Sequence, residues 1–470
     1  MIIEQIYTGC LAQGAYYIES NGEAAVIDPL REVSSYIEMA EKNNAKIKYV
    51  LETHFHADFV SGHLDLASKT GAKIVFGPNA APSFDAHIAK DEEILHLGNI
   101  KIKVLHTPGH TFESSCFLLI DENEQPKYVF TGDTLFIGDV GRPDLAQKGD
   151  ITEKDLAAML YDSLNNKLKT LPDDVIIYPA HGAGSACGKN MSKETWDTIG
   201  SQKQINYALL ATTREQFVEE VTAGLAPPPY YFPKNVMMNK NGYESFDAVM
   251  ERAAKPLQPK EIEFLVDQES ALVLDTRHQS DFEAGFIPRS VFIGIGGDFA
   301  PWVGTLIRDI HQPLIVVADK GKEKEVITRL SRVGYDAVMG YLEGGFDNWK
   351  SSGFEVDTID SVSVTELADL LKSDSDLNIY DVRKEGEYEA EHIENVHYTP
   401  LAYINNHMSE FKKEGSNYIH CASGFRSMIA ISILKARGIH NVVNISGGFK
   451  AIQESGLIPV TDFVCQSTKK

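Results

Sequence analysis

Tyr49-Val50-Leu51-Glu52-Thr53-His54-Phe55-His56-Ala57-Asp58-Phe59-Val60-Ser61-Gly62-His63 decides how the first half of the chain is read. An apolar run ending in polar groups predicts a buried strand followed by a loop. This loop carries two imidazoles and a carboxylate at alternating positions, so several potential metal ligands sit together. Three other strand ends have the same form. Val104-Leu105-His106-Thr107-Pro108-Gly109-His110 presents His110, Tyr128-Val-Phe-Thr-Gly132-Asp133 presents Asp133, and Ile176-Ile-Tyr-Pro-Ala-His181 presents His181. A single histidine is most simply a hydrogen-bonded core or loop residue. Four such motifs in one half of a chain are more than that explanation covers.

Working outward, Ala24–Asp28 and Ile47–Leu51 are expected as buried strands, with a helix over Val33 to Asn43 between them. Polar groups at the C-terminal ends of such strands lie where α/β layers place active sites. The pattern as a whole resembles the metallo-β-lactamase superfamily, with its H-x-H-x-D-H motif, a distant His, a bridging Asp and a last His. The resemblance spans about residues 1 to 240 and implies an αβ/βα sandwich with a metal at its edge. Phe59 departs from the pattern, because a phenyl ring stands where a histidine helps hold a second metal. With one metal, His54, His110 and Asp133 supply two imidazoles and a carboxylate, a set that suits Fe(II) and leaves positions for substrate and O2. It is the set of the superfamily's persulfide dioxygenases. That resemblance implies one Fe(II) per N-terminal domain, with zinc as the alternative occupant, and makes His56, Asp58 and His181 groups that orient the ligands from behind.

Gly138-Asp139-Val140-Gly141-Arg142-Pro143-Asp144 resembles the same branch. Arg142 is either a salt-bridge partner or a contact to the thiol substrate. Cys187 follows His181 in a glycine-rich loop, where it is either a small buried side chain or a reactive thiol whose pKa Lys189 lowers. By resemblance to the fused dioxygenase-sulfurtransferase group, it affects substrate handling.

The C-terminal half contains an internal repeat. Leu272-Val-Leu-Asp275-Thr-Arg277 recurs as Asn378-Ile-Tyr-Asp381-Val-Arg383, and Gly344-Gly345-Phe346 recurs as Gly447-Gly448-Phe449. In the second copy, Asn417-Tyr-Ile-His420 leads into Cys421-Ala-Ser423-Gly424-Phe425-Arg426-Ser427 and an apolar helix from Met428 to Ala436. A strand, tight loop and helix N-terminus would stabilise a thiolate or persulfide through inward N–H groups, the helix dipole and Arg426. The spacing from Cys421 to Arg426 resembles the rhodanese sulfurtransferases, where cysteine phosphatases use a longer loop for a larger tetrahedral group. Cys421 and Arg426 are thereby the catalytic candidates, Ser423, Gly424, Phe425 and Ser427 the substrate-binding ones, and Asp381 and Arg383 structural. The first copy has Ala318 against Cys421 and Glu323 against Arg426, so it is expected to be a non-catalytic spacer or docking surface.

The chain of 470 residues corresponds to roughly two to four domains. The motifs divide it into an α/β sandwich over 1–245, an inactive rhodanese-like domain over 246–358 and an active one over 359–470, the last two with parallel sheets. Ala226-Pro-Pro-Pro-Tyr-Tyr-Phe-Pro233 is expected as an extended connector or a rigid arm on the first domain, and Gly353 to Ser363 as the link between repeats. A net charge of -23 repels phosphate backbones and anionic lipids, which argues against nucleic acid or membrane as partners. The N-terminus has no secretory pattern and no apolar run approaches a bilayer span. Five cysteines, an odd number, point to a reducing cytoplasm. Cys116 reads as core, and Cys465 as part of a tail.

The combination resembles the fused persulfide dioxygenase-rhodanese family. It implies oxidation of a low-molecular-weight thiol persulfide by O2 to sulfite, sulfur transfer through Cys421 to sulfite giving thiosulfate, and a role in sulfide detoxification; it leaves room for a homo-oligomer. The alternatives are a zinc thioester hydrolase of glyoxalase II type, a rhodanese-led sulfur carrier with a degenerate first domain, and a scaffold.

Overall fold

The computed structural model describes residues 1–146, 151–225, 227–374 and 376–464. Cys465 and Ala226 lie outside them. Contacts divide the chain into two compact units, one of Met1–Val249 with Arg308–Ile310 and Thr328–Tyr335, the other of Met250–Ile307, His311–Ile327 and Asp336–Lys470.

In the first unit, strands Ile2–Thr8, Gln13–Ser20, Glu23–Ile27, Lys46–Glu52, Lys73–Phe76 and His87–Ile88 form one sheet in chain order. The three strand pairs from Glu23–Ile27 to His87–Ile88 are parallel. A second sheet of six strands runs from Asp197–Thr198 through Ile176–Pro179, Pro126–Gly132, Ser115–Ile120 and Ile100–His106 to Ile94–Leu97. Gln13–Ser20 is buried along its whole length, so its alternate side chains serve different layers. Tyr16 and Ile18 join Val104, Phe117 and Phe130 between the sheets. Ala15 and Tyr17 face Tyr36, Ala40 and Leu66 of the flanking helices Ser34–Lys42 and His63–Thr70. Behind the second sheet, Leu105, Cys116 and Leu118 pack with Ala157, Leu160 and Phe217 of helices Glu153–Ser163 and Arg214–Thr222. The result is an αβ/βα sandwich.

In the second unit the repeat is visible as two sheets of identical order, each of five parallel strands. Leu314–Val317 is central in the first and Asn417–His420 in the second. Buried pairs Asp275–Arg277 and Asp381–Arg383 close at 2.6 Å each, and both guanidiniums stack on the phenylalanine of a Gly-Gly-Phe motif, Phe346 or Phe449. The repeated signature is thus a structural one.

Two segments contain regular structure that their composition did not announce. The proline cluster runs into the helix Phe232–Asn241, with Pro233 in the first turn where the absent N–H would have no helical partner anyway. The link between repeats contains Asp360–Val362, which is the edge strand of the second sheet. Its polar side chains hid a backbone pairing with Val442–Ile445. No described helix is long and apolar enough to cross a membrane.

Candidate functional site

The four strand ends meet at one edge of the sandwich. His54 Nε2 lies 3.8 Å and His110 Nε2 3.5 Å from Asp133 Oδ2, while His181 Nε2 lies 3.6 Å from Asp133 Oδ1 and 3.3 Å from Asp58 Oδ2. All five residues are buried. The opposite ring nitrogen of each histidine is held by an acceptor. Thr53 Oγ1 donates its one proton to Asp28 Oδ2 at 2.8 Å, so it accepts from His54 Nδ1 at 3.0 Å. His110 Nδ1 donates to the Arg142 carbonyl at 2.9 Å and His181 Nδ1 to the Ala12 carbonyl at 3.2 Å. These bonds place a proton on Nδ1 in all three and turn their Nε2 atoms toward Asp133.

Burial, followed by the neighbouring His56, His110 and His181, holds His54 well below the usual imidazole pKa. It is therefore neutral, the form that ligates metal. Among the described residues, both Asp133 oxygens, Asp58 Oδ1 and His181 Nε2 have no hydrogen-bond partner. Carboxylate oxygens buried in that state are costly unless a cation meets them, and these donors fit one. The donor atoms of His54, His110 and Asp133 lie within 4.8 Å of one another, as do those of His56, Asp58 and His181, and those of Asp133, His181 and Cys187.

His56 also turns toward another pair of acids, its Nε2 3.1 Å from Asp28 Oδ1 and 3.8 Å from Glu52 Oε2. Burial opposes its charge, but Asp28, Glu52 and Asp58 outweigh burial and raise its pKa to about 9. Phe59 is fully buried with its ring 4.3 Å from that of His56, filling space with carbon where a further donor could have stood.

Arg142 makes a two-pronged bond to Asp144, at 3.0 and 2.7 Å, and donates to the Ala186 carbonyl. Its own N–H donates to the Cys187 carbonyl at 3.0 Å. These contacts are those of the salt-bridge alternative, and they tie the Cys187 loop to the residue that pins His110. A Cβ at Gly141 would lie 2.0 Å from the Asp133 carbonyl, so the neighbouring position must be glycine. Cys187 is buried, and burial, then Asp58 and Asp133, push its thiol well above the usual range. Lys189, expected to lower that pKa, instead donates to the Glu220 and Ala223 carbonyls. The loop encloses the thiol against carboxylates, which proximity in sequence to a lysine did not reveal.

Two site residues escaped sequence reasoning. Asn239 is buried and donates to the His56 and Phe59 carbonyls at 2.8 Å each, while its Oδ1 accepts from the Ser61 N–H at 2.8 Å. Tyr231 is buried too, and burial, then Asp58 and Cys187, raise its phenol. Tyr231 lies within the proline cluster expected as an extended connector or a rigid arm on the first domain, and Asn239 lies six residues beyond it, outside any motif.

In the second unit, Cys421 follows the buried strand Asn417–His420. Gly424 adopts φ +109° before the helix Phe425–Ala436, and its N–H donates to Cys421 Sγ at 3.1 Å. Phe449 N–H donates to the Cys421 carbonyl at 2.7 Å and Lys450 N–H to that of Ala422 at 3.0 Å, holding the loop from below. Arg426 pairs with Glu387 at 2.5 and 2.7 Å, a partner its position in the motif did not disclose. Ser427 is buried, its Oγ 3.0 Å from the Gly424 carbonyl and 2.9 Å from Asn444 Oδ1. Cys421, Ser423, Phe425 and Arg426 line a cavity of about 750 Å³; Gly424 and Ser427 shape its loop without lining it. In the first repeat Ala318 follows the equivalent strand Leu314–Val317 and Glu323 begins the equivalent helix.

Family comparisons agree with both halves. The metallo-beta-lactamase superfamily matches residues 8–181, and the rhodanese-like domain matches residues 258–352 and again 363–455. The hydroxyacylglutathione hydrolase GloC of Haemophilus influenzae is 32% identical over 39% of this chain and 85% of its own length. The mitochondrial persulfide dioxygenase ETHE1 of Homo sapiens is 33% identical over 34% of this chain and 59% of its own. A crystal structure of a metallo-beta-lactamase from Staphylococcus aureus subsp. aureus COL is 30% identical, covering 73% of this chain and 98% of that one with a TM-score of 0.64. The chain therefore belongs to the metallo-β-lactamase superfamily. Behind that domain it carries two rhodanese-like domains. It spans 60% and 58% of the length of two Schizosaccharomyces pombe probable hydroxyacylglutathione hydrolases that it also matches.

Proposed function

We propose that the protein oxidises a low-molecular-weight thiol persulfide to sulfite at an Fe(II) held by His54, His110 and Asp133, and transfers sulfane sulfur through Cys421 to sulfite, giving thiosulfate. The observation that carries this proposal is the convergence of two imidazole Nε2 atoms on a buried carboxylate that has no hydrogen-bond partner among the described residues, beside a Phe59 that contributes no donor. Two imidazoles and one carboxylate with open positions suit oxygen-activating iron. Fe(II) bound there supplies the redox chemistry by which RSSH, O2 and water become RSH, sulfite and two protons.

The chain's own residues do the rest. Thr53 and the Arg142 carbonyl keep His54 and His110 in their ligating tautomers, Asn239 holds the loop between them and the helix, and Phe59 and the buried strands keep bulk water out. Cys421 lies on a loop that offers its sulfur an N–H donor, the setting a persulfide anion requires. Fusing the two activities supplies sulfite near its acceptor site, as tethering raises local concentration in general. The acidic net charge disfavours polyanionic partners such as nucleic acid.

A second reading has its own support. Asp58, His181 and Cys187 stand where they could add a further ion beside Asp133, and hydroxyacylglutathione hydrolases are as similar as the dioxygenase. Two zinc ions would then activate water for thioester hydrolysis. Oxygen uptake by iron-loaded protein on adding glutathione persulfide or coenzyme A persulfide tests the first reading. Hydrolysis of a glutathione thioester with no oxygen consumed by either persulfide would replace it with the second.

A further inference from the structure

The cavity over Cys421 is built by both repeats. Cys421, Ser423, Phe425, Arg426, Lys384 and Glu387 form one side, and the copy without a nucleophile forms the other through Arg277, His278, Gln279, Trp302 and the loop Gly294 to Asp298. The two copies are fitted together at that wall. Phe292 N–H donates to Ser432 Oγ at 2.9 Å, and the Phe292 ring meets Phe425 edge-on at 5.9 Å. A Cβ on Gly294 would lie 3.1 Å from Phe425, and one on Gly424 would lie 3.5 Å from Gln279 Nε2. The loss of Cys and Arg at Ala318 and Glu323 has thus left the first copy in place beside the second copy's reactive sulfur.

The wall's chemistry indicates what it holds. Each guanidinium lining the cavity is already bound to a carboxylate, Arg277 to Asp275 at 2.6 Å and Arg426 to Glu387 at 2.5 Å. Asp298 and Asp319 add negative charge against Lys384. Such a wall gives a small dianion little net attraction. The volume of about 750 Å³ belongs with pockets for whole organic ligands, which run to ~300–1,000 Å³, and Trp302 offers an indole face to a carbon skeleton.

We propose that the first rhodanese-like repeat is the specificity-determining half of the Cys421 site, with His278, Gln279 and Trp302 holding the thiol body of an organic persulfide of peptide or nucleotide size. The inference rests on the sulfur-transfer reading above and names its donor class. Cys421 thiolate attacks the outer sulfur of RSSH, forming the new S–S bond. The donor's S–S bond breaks, its electron pair stays on the inner sulfur, and that sulfur takes a proton and departs as RSH. No oxidant or reductant is consumed.

The test uses the full-length protein without oxygen, so the metal centre does not enter. Persulfide formation on Cys421 is followed by intact mass against the concentration of glutathione persulfide and, separately, thiosulfate. Trp302→Ala and Gln279→Ala are expected to raise the half-saturating concentration of glutathione persulfide about tenfold for the tryptophan and less for the glutamine, at an unchanged limiting rate. Loading from thiosulfate should be unchanged, and Trp302→Phe should recover most of the loss. Unchanged half-saturation by glutathione persulfide in both variants, or an equal loss with both donors, overturns the proposal. If wild-type Cys421 loads from neither donor, the sulfur-transfer reading itself fails, an outcome distinct from a pocket that does not discriminate.

Discussion

Asn239 Nδ2 stands 2.8 Å from the main-chain carbonyl oxygen of His56, and its second proton reaches the Phe59 carbonyl at the same distance. With Oδ1 accepting from Ser61, one buried amide satisfies three backbone groups of the loop that carries the candidate ligands. Asn239→Ala leaves all three without partners, at about 1–3 kcal/mol for each buried group that water cannot reach. A loss on the order of 3 kcal/mol in denaturant unfolding, with reduced metal content, is expected. Full stability would mean that the loop holds itself.

Thr53 has one hydroxyl proton, and Asp28 takes it, which makes Thr53 an obligatory acceptor for His54. Thr53→Val keeps the shape and removes both bonds, freeing His54 to place its proton on Nε2. Outer partners of metal-binding histidines typically contribute ~10–100-fold in metal affinity. Competition titration with a chelator should show a drop of that size for Thr53→Val and a smaller one for Thr53→Ser. Equal affinities would separate the tautomer from metal binding.

What was legible in the sequence was what residue type and spacing encode. His54, His110, Asp133 and His181 end apolar strands, and scarce ligand types at strand ends stand out against a hydrophobic pattern. The two repeats were legible because Asp275–Arg277 and Asp381–Arg383 each close on themselves across two residues, so their geometry is local. Asn239 and Glu387 were not legible. Each acts across a long stretch of chain, on His56 and on Arg426, and no local pattern records such a partner. The edge strand Asp360–Val362 escaped for a related reason, since its backbone bonds to Val442–Ile445 while its side chains are polar.

The Glu387–Arg426 pair makes stability depend on pH in a definite direction. Burial works against the Glu387 charge and Arg426 more than offsets it, so the carboxyl titrates below the usual range of about 4.3. A depressed folded pKa stabilises above the unfolded value, and that contribution is lost as pH falls through the folded one. Because Glu387 is 37% exposed, the pair contributes no more than about 1 kcal/mol near neutrality. Unfolding midpoints of wild type and Glu387→Gln should differ above pH ~4.5 and converge in more acid solution. A constant difference at every pH would assign the effect to packing instead.

Gly448 tests how the second copy's reactive loop is supported. Its φ is +60°, and an added Cβ would lie 2.5 Å from the Cys421 carbonyl and 2.8 Å from the carbonyl carbon of Ala422. Both obstacles are backbone, which cannot rotate aside as a long side chain could. Gly448→Ala must therefore either abandon the left-handed conformation or push the Cys421 loop away, breaking the bonds from Phe449 and Lys450 that hold it. A destabilisation of about 2 kcal/mol is expected, together with a larger loss of the proposed sulfur transfer than of the proposed oxygen uptake, since the candidate metal ligands lie in the other unit. Measuring both activities on the one variant separates a local displacement from general unfolding, because unfolding of the whole chain would lower the two together.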